Sequence, residues 1–200
     1  MINYFAELLS DYFVENEVVL PEDKSIYKYG TEVVISSILG IVIVIALSAV
    51  LGQFQDGMLF LLCFIPIRIY AGGYHANTYL KCNATFITVF IFTSLVSRNL
   101  PEVFQVQLSI LFLIASLVVI ILLSPIENKR KPISDYEKKR YRRISIIMSV
   151  LWIVTSIVLF IFDINIIPIV SLTMFTIAIL MIVEKIIQII QMKNLEGQQQ

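Results

Sequence analysis

The stretch VVISSILGIVIVIALSAVL, residues 33–51, decides the fold class of this 200-residue chain. Its nineteen residues carry no charge, and a helix needs roughly 20 such residues to cross the hydrocarbon core of a bilayer. It starts well inside the chain and has no basic flank directly before it, so it lacks the form of a cleavable signal peptide. We therefore predict a membrane-spanning helix.

The composition extends this prediction to the whole chain. Hydrophobic residues make up 58% and charged residues 15%, against about 45–50% and about 25% in ordinary soluble domains. This excludes a water-soluble enzyme, because a soluble core of this length could not bury such long apolar runs. Fifteen basic and fifteen acidic residues give zero formal net charge, so we expect no nucleic-acid partner.

Five further stretches have little or no charge: Gly57–Ile67, Cys82–Ser97, Val103–Ile126, Ile144–Phe162 and Ile164–Val183. We predict an all-α integral membrane protein, with six transmembrane helices over residues 21–190 and a polar tail over residues 191–200, disordered from Asn194 onward. The second and third spans are short, so they must tilt, thin the bilayer or include flanking polar residues. They border one polar segment, Arg68–Lys81, where we place the functional site.

The basic residues predict the orientation. Eight lysines and arginines lie between Glu127 and Arg143, and such loops stay in the cytoplasm. Six spans then place both termini in the cytoplasm and leave Arg98 as the only basic residue outside. We therefore expect a multi-pass protein of the cell membrane.

An amphipathic helix is predicted over residues 1–20. Its acidic face carries Glu7 and Asp11, and the apolar face consists of Ile2, Phe5, Leu8, Leu9, Tyr12 and Phe13. This pattern is typical of an interfacial helix on the inner leaflet. Because an acidic face weakens binding to anionic lipid, packing on the protein's own basic loop or on a partner helix stays an open alternative.

A basic collar precedes the fifth span and consists of Lys138, Lys139, Arg142 and Arg143, among others. The sequence Ser134-Asp135-Tyr136-Glu137 has the form of a capping box, so this helix should start about ten residues before its apolar run. The favoured interpretation is an anchor for anionic membrane lipid, and the alternative is a docking patch for an acidic peptide.

The chain's only histidine, His75, and Cys82 are the minimum for nucleophilic catalysis by a thiol. On one continuous helix, residues seven apart lie about 10.5 Å apart along the axis, too far for proton transfer. A working pair therefore requires a bend, with Gly72-Gly73 ending the second span and Cys82 near the start of the third. There the helix dipole, Lys81 and Arg68 would lower the thiol pKa. The alternative is a histidine and a cysteine at the membrane interface without a catalytic role.

Arg68 at membrane depth needs a partner such as a carbonyl or a carboxylate, unless it extends to the headgroups. With Gly72, Gly73 and Asn77 it forms our candidate substrate-binding or oxyanion set. Cys63 lies within an apolar run and should only pack. We expect no metal site, because the segment offers no carboxylate ligand, and no cofactor.

Arg68, Gly72-Gly73-Tyr74-His75-Ala76 and Cys82, with the later segment SPIENKRKPI at 124–133, resemble the accessory gene regulator B family over nearly the whole chain. The resemblance implies a membrane cysteine endopeptidase of Gram-positive bacteria that processes a quorum-sensing propeptide. Such an enzyme removes the acidic C-terminal part and joins the new carboxyl end to an internal Cys or Ser, giving a thiolactone or lactone. It also implies Cys82 as nucleophile, His75 as its base and a homodimer. The competing hypothesis is a small transporter or scaffold for peptide export without proteolysis.

Overall fold

The computed structural model describes residues 2–74, 78–127 and 133–197, apart from the side chains of residues 102 and 195–197. In this part of the chain it contains seven α-helices: α1 Ile2–Glu15, α2 Lys24–Val50, α3 Phe54–Ala71, α4 Tyr79–Asn99, α5 Glu102–Leu123, α6 Asp135–Ile161 and α7 Ile167–Gly197. Six of them, α2 to α7, are long and apolar enough to cross a membrane. The prediction of an all-α protein with six spanning helices is confirmed.

The second and third spans are longer than their apolar runs. Helix α3 has 18 residues and α4 has 21, because polar residues at both ends of each run are also helical. Of the predicted alternatives, the structure therefore shows the inclusion of flanking polar residues. One consequence is that Arg68 belongs to the last turn of α3.

Local signals place two helix starts correctly. A 3-10 turn at Pro21–Asp23 leads directly into α2, with proline in its first position. Helix α6 begins with the predicted capping box, in which the Ser134 hydroxyl accepts from the Glu137 N–H and the Glu137 carboxylate accepts from the Ser134 N–H.

The end of α7 differs from the prediction. We expected a disordered tail from Asn194, but the helix continues through Gly197, so the prediction was wrong for residues 194–197. Leu195 and Glu196 have good helix propensity, and extending a formed helix costs much less than starting one.

Helix α7 forms the centre of the bundle and contacts α3, α4, α5 and α6. Its side chains Met174, Ile177 and Met181 are fully buried, together with Phe60 and Ile67 of α3. Buried hydroxyl groups on α7 donate to the helix's own carbonyls, with Thr173 bonded to Ile169, for example. Small side chains and internally satisfied hydroxyls are typical of close helix packing in membranes.

Helix α1 packs on α2 through its acidic face. The Lys24 ammonium lies 3.0 Å from a Glu7 carboxylate oxygen and 2.5 Å from an Asp11 oxygen, and Lys28 also pairs with Glu7. The apolar side chains Phe5 and Leu8 on the opposite face are exposed. The partners of the acidic face are therefore lysines of α2, and the apolar face remains turned outward as an interfacial helix requires.

Candidate functional site

The site is built around a break between two spanning helices. Helix α3 ends at Ala71, and Gly72 and Gly73 follow with φ values of +77° and +129°, which only glycine adopts readily. Helix α4 begins at Tyr79, with the Thr78 hydroxyl accepting from the Lys81 N–H at 3.3 Å. The predicted end of the second span at Gly72-Gly73 and the predicted start of the third span just before Cys82 are confirmed, whereas His75 itself lies outside the described residues.

The glycine segment is held by close backbone contacts on two sides. The Ile126 N–H donates to the Ala71 carbonyl at 2.9 Å, and the Tyr74 N–H donates to the Leu180 carbonyl of α7 at 3.1 Å. A Cβ atom on Gly72 would lie 2.3 Å from the Ile126 carbonyl oxygen, so no side chain fits there. The chain just before His75 is thus anchored to α7 and to the segment that follows α5.

Arg68 turns back toward this segment. Its Nη2 donates to the Tyr74 carbonyl, and a Cβ atom on Gly73 would lie 2.9 Å from its Nη1. Nη1 is buried and has no hydrogen-bond partner among the described residues. Arg68 therefore turns toward Tyr74 and does not extend to the headgroups. Leaving a buried neutral donor without a partner costs about 1–3 kcal/mol, and a charged donor such as Nη1 costs more.

Cys82 lies in the first turn of α4, where its N–H donates to the Thr78 carbonyl at 3.0 Å. Its side chain is exposed, whereas Cys63 is fully buried in the core and packs as expected. The Arg68 guanidinium lies within electrostatic reach of both Cys82 and Glu184 of α7. Two of the predicted site residues therefore lie on either side of the same helix break, Arg68 in the last turn of α3 and Cys82 in the first turn of α4.

His75 and Asn77 lie outside the described residues. Their predicted roles as base and as orienting or oxyanion residue therefore stay predictions. Among the described ranges, no three His, Cys, Asp or Glu side chains come together as metal ligands would.

An open cavity of about 430 Å³ runs along α4 from Lys81, the residue before Cys82. It is lined by Tyr74, Lys81, Ala84, Thr85, Thr88 and Val89. Its volume is in the range of small-molecule and peptide side-chain sites. The groove is mostly apolar, and its one charged lining residue, Lys81, directly precedes Cys82 in the first turn of α4.

The basic collar divides into two pairs. Lys138 forms an ion pair with Glu127 at 2.6 Å, and Arg142 donates to the Ile121 carbonyl at the end of α5 at 2.8 Å. Lys139 and Arg143 are exposed. The first pair therefore ties α6 to its neighbours, and the second pair is accessible to lipid or to a peptide.

Two acidic residues near the site were missed by the sequence reasoning. Glu32 of α2 accepts a hydrogen bond from the Tyr79 hydroxyl at 2.8 Å, and Glu184 of α7 lies one turn after Leu180, whose carbonyl accepts the Tyr74 N–H. Both border an apolar run, Glu32 before residue 33 and Glu184 after residue 183, and neither was predicted to take part in the site. The signal that could have found them is that ionisable groups at membrane depth are costly and usually paired.

The fold and site define a small multi-pass membrane protein with an accessible thiol at a helix break. The family model for Accessory gene regulator B matches residues 6–192. The chain therefore belongs to the AgrB family, whose members take part in accessory gene regulation and quorum sensing, and the resemblance stated above is confirmed.

Individual relatives agree with this assignment. The chain is 29% identical over 159 residues to a putative AgrB-like protein of Clostridium beijerinckii, covering 77% of this chain and 76% of the relative. It is 26% identical over 134 residues to accessory gene regulator protein B of Staphylococcus aureus (strain bovine RF122 / ET3-1), covering 66% and 70%. No solved structure matches it.

Proposed function

We propose that this protein is a membrane-embedded cysteine endopeptidase that cleaves the C-terminal part of an autoinducer propeptide and cyclises the acyl-enzyme product to a thiolactone or lactone. The observation that carries the proposal is the exposed Cys82 thiol in the first turn of α4, across the helix break from the half-buried Arg68 guanidinium, whose Nη1 is buried. A thiolate is stabilised by a helix N-terminus and by a nearby cation, and it is the nucleophilic form of cysteine.

Cleavage uses Cys82 and His75. The His75 imidazole takes the proton of the Cys82 thiol, and the thiolate attacks the carbonyl carbon of the scissile amide. The tetrahedral intermediate collapses as the imidazolium protonates the leaving nitrogen. The C–N bond breaks, the C-terminal peptide departs with a free amine, and the N-terminal part stays on Cys82 as a thioester.

Cyclisation exchanges one ester for another. The internal Cys thiolate of the propeptide attacks the thioester carbonyl, a ring thiolactone forms, and the Cys82 sulfur leaves as a thiolate. An internal Ser hydroxyl would give a lactone in the same way. Exchange of thioesters is nearly balanced in free energy, whereas forming the first thioester from an amide is uphill. Release of the ring and loss of the cleaved tail therefore have to pull the reaction forward.

Arg68 is suited to stabilise the negative charge that develops on the carbonyl oxygen of the substrate during the reaction. Its buried Nη1, without a partner among the described residues, is a donor for the oxyanion of the tetrahedral intermediate or for a substrate carbonyl. Gly72 and Gly73 permit the close backbone approach that holds this guanidinium in place. Asn77 would be a second donor or would orient His75.

The substrate would lie along the α4 groove, with its acidic tail toward the exposed collar residues Lys139 and Arg143. Bound propeptide in the groove would itself cover the exposed thioester, and excluding water in this way favours ring closure over hydrolysis. In this proposal the collar end of the bundle and both termini face the cytoplasm, membrane lipid also contacts the collar, and the enzyme is a homodimer in a Gram-positive cell membrane.

The experiment is intact mass spectrometry of the full chain in lipid with its genomically adjacent propeptide. Wild type and Cys63→Ala should form a covalent adduct, Cys82→Ala should form none, and His75→Ala should form it slowly. Cleavage that persists in both Cys82→Ala and His75→Ala, or a propeptide left intact by folded wild type, would contradict the proposal.

The alternative function is a small transporter or scaffold for peptide export without proteolysis. A second, polar cavity of about 210 Å³ at the other end of the bundle favours it, lined by Asp56, Ser97, Arg98, Gln105, Asn165, Pro168 and Ile169. Export of ready-made ring from vesicles containing Cys82→Ala would support transport. Absence of export by wild type in the same assay would argue against it.

A further inference from the structure

The buried Arg68 charge requires a fixed negative partner. A guanidinium inside a membrane-spanning helix is unfavourable unless it is paired with a carboxylate or with carbonyl groups. Its hydrogen bond to the Tyr74 carbonyl is made by Nη2, and Nη1 has no partner in the described ranges. Cys82 carries negative charge only after losing its proton. A permanent partner therefore has to come from elsewhere in the bundle.

The backbone contacts of Gly73 bring Arg68 to one face of α7. A Cβ atom on Gly73 would lie 2.9 Å from Arg68 Nη1 and 3.4 Å from the Met181 nitrogen, so the guanidinium is close to α7 at Met181. Glu184 is three residues after Met181 and four after Leu180, which accepts the Tyr74 N–H. Residues at these spacings are neighbours on one helix face. Glu184 is accordingly the carboxylate of α7 whose field reaches Arg68.

The Glu184 carboxylate is itself held in position. Gln188, one turn later, donates to Glu184 Oε1 at 3.3 Å and to the Glu127 carbonyl at 2.9 Å. Glu127 follows Ile126, whose N–H binds the Ala71 carbonyl at the end of α3. The carboxylate is therefore connected, through α7 and the segment after α5, to the helix that carries Arg68.

We propose that Glu184 is the counter-ion that positions Arg68 in the candidate site and competes with the Cys82 thiolate for its charge. Glu184 is a positioning residue, because it acts on Cys82 through Arg68. Its place in a catalytic cycle rests on the proposed function. When acylation removes the negative charge from Cys82, Glu184 keeps the guanidinium directed into the site, ready to stabilise the oxyanion.

Other charges at this end of α4 have to be considered in any test. Lys81 precedes Cys82 on α4, Glu32 of α2 accepts the Tyr79 hydroxyl, and Tyr74 and His75 lie in the preceding loop. None of these is changed in the variants below. The comparison therefore isolates Arg68 and Glu184.

The first measurement is the pH profile of Cys82 alkylation by iodoacetamide, on the full chain in lipid and in a Cys63→Ala background. Glu184→Gln should move the midpoint down by about half a pH unit or more, because Arg68 then acts on the thiolate alone. Arg68→Gln should move it up. Glu184→Asp should stay near wild type, and Glu127→Gln is the matched control, since it removes a carboxylate that pairs with Lys138 instead.

The second measurement is the thermal unfolding midpoint of the two single variants and the double variant. Arg68→Gln leaves the Glu184 charge without its partner, so Arg68→Gln/Glu184→Gln should unfold at a higher temperature than Arg68→Gln alone. A double variant no more stable than Arg68→Gln, or an unmoved alkylation midpoint in folded Glu184→Gln, would overturn the proposal. Neither measurement uses a propeptide. The inference about Glu184 can therefore fail while the peptidase function holds, and the peptidase function can fail while the inference holds.

Discussion

Gly72 lies so close to Ile126 that a Cβ atom on it would be 2.3 Å from the Ile126 carbonyl oxygen. The same residue has a φ of +77°, outside the range that side chains favour. This contact joins the end of α3 to the segment after α5, and it directs the chain toward the position of His75. The geometry of the candidate site therefore depends on a glycine that makes no chemical contribution of its own.

Gly72→Ala should destabilise the fold strongly. Backbone strain at such a φ costs on the order of 1–3 kcal/mol, and the overlap with Ile126 adds to it. The thermal unfolding midpoint in lipid or detergent would show this. The matched control is Gly52→Ala, which has a similar φ of +64° but no atom within 4 Å of the added Cβ. Equal losses in the two variants would mean that the Ile126 contact is unimportant.

The two cysteines should differ in reactivity. Cys82 is exposed and Cys63 is fully buried, so iodoacetamide should modify one thiol in the folded protein and two after denaturation. Peptide mapping by mass spectrometry would locate the modified residue. Rapid modification of Cys63 in folded protein would contradict the packing of α3 described above.

The attachment of α1 should weaken in acid. Hydrogen bonds from Lys28 and Lys24 hold the pKa of Glu7 below its usual value of 4.5. Because the folded pKa is lowered, the stabilisation is complete above the unfolded pKa and is lost as pH falls through the lower folded pKa. The protection factors of α1 amides against hydrogen exchange, which correct for the intrinsic pH dependence of the rate, should therefore fall below about pH 4.5, and Glu7→Gln should show low protection at neutral pH.

A control on the same helix is Glu15→Gln, at the last residue of α1. Its exchange should stay close to wild type at neutral pH. If Glu7→Gln exchanged as slowly as Glu15→Gln, the ion pairs with α2 would not be what holds α1.

Variants of the exposed collar residues Lys139 and Arg143 can distinguish peptide docking from lipid anchoring. Lys139→Glu and Arg143→Glu should each raise the apparent KM for the propeptide by up to about fivefold, as exposed ion pairs contribute up to about 1 kcal/mol, with little change in single-turnover rate. Lys138→Glu is unsuitable for this test, because it also breaks the ion pair with Glu127. An unchanged KM in both variants would assign the collar to lipid.

Much of the architecture could be predicted because its signals are local. Uncharged runs predict spans, Pro21 and the capping box at Ser134 predict helix starts, and Gly72-Gly73 predicts the end of α3. The tail was mispredicted because polarity was weighed more than helix propensity. For the site, the placement of Cys82 in a first helical turn followed from the same local reasoning.

The partners within the bundle could not be predicted in this way. By itself, the sequence determined the six spans, the break between α3 and α4 and the family motif, because hydrophobic length and glycine conformation act over a few residues. Only the tertiary structure decided that α7 is central, that the end of α3 with Arg68 lies against α7 near Met181 and that Lys24 pairs with the acidic face of α1. Such pairings depend on which helix faces meet in space. The sequence around a charged residue at the end of an apolar run does not indicate which residue will be its partner.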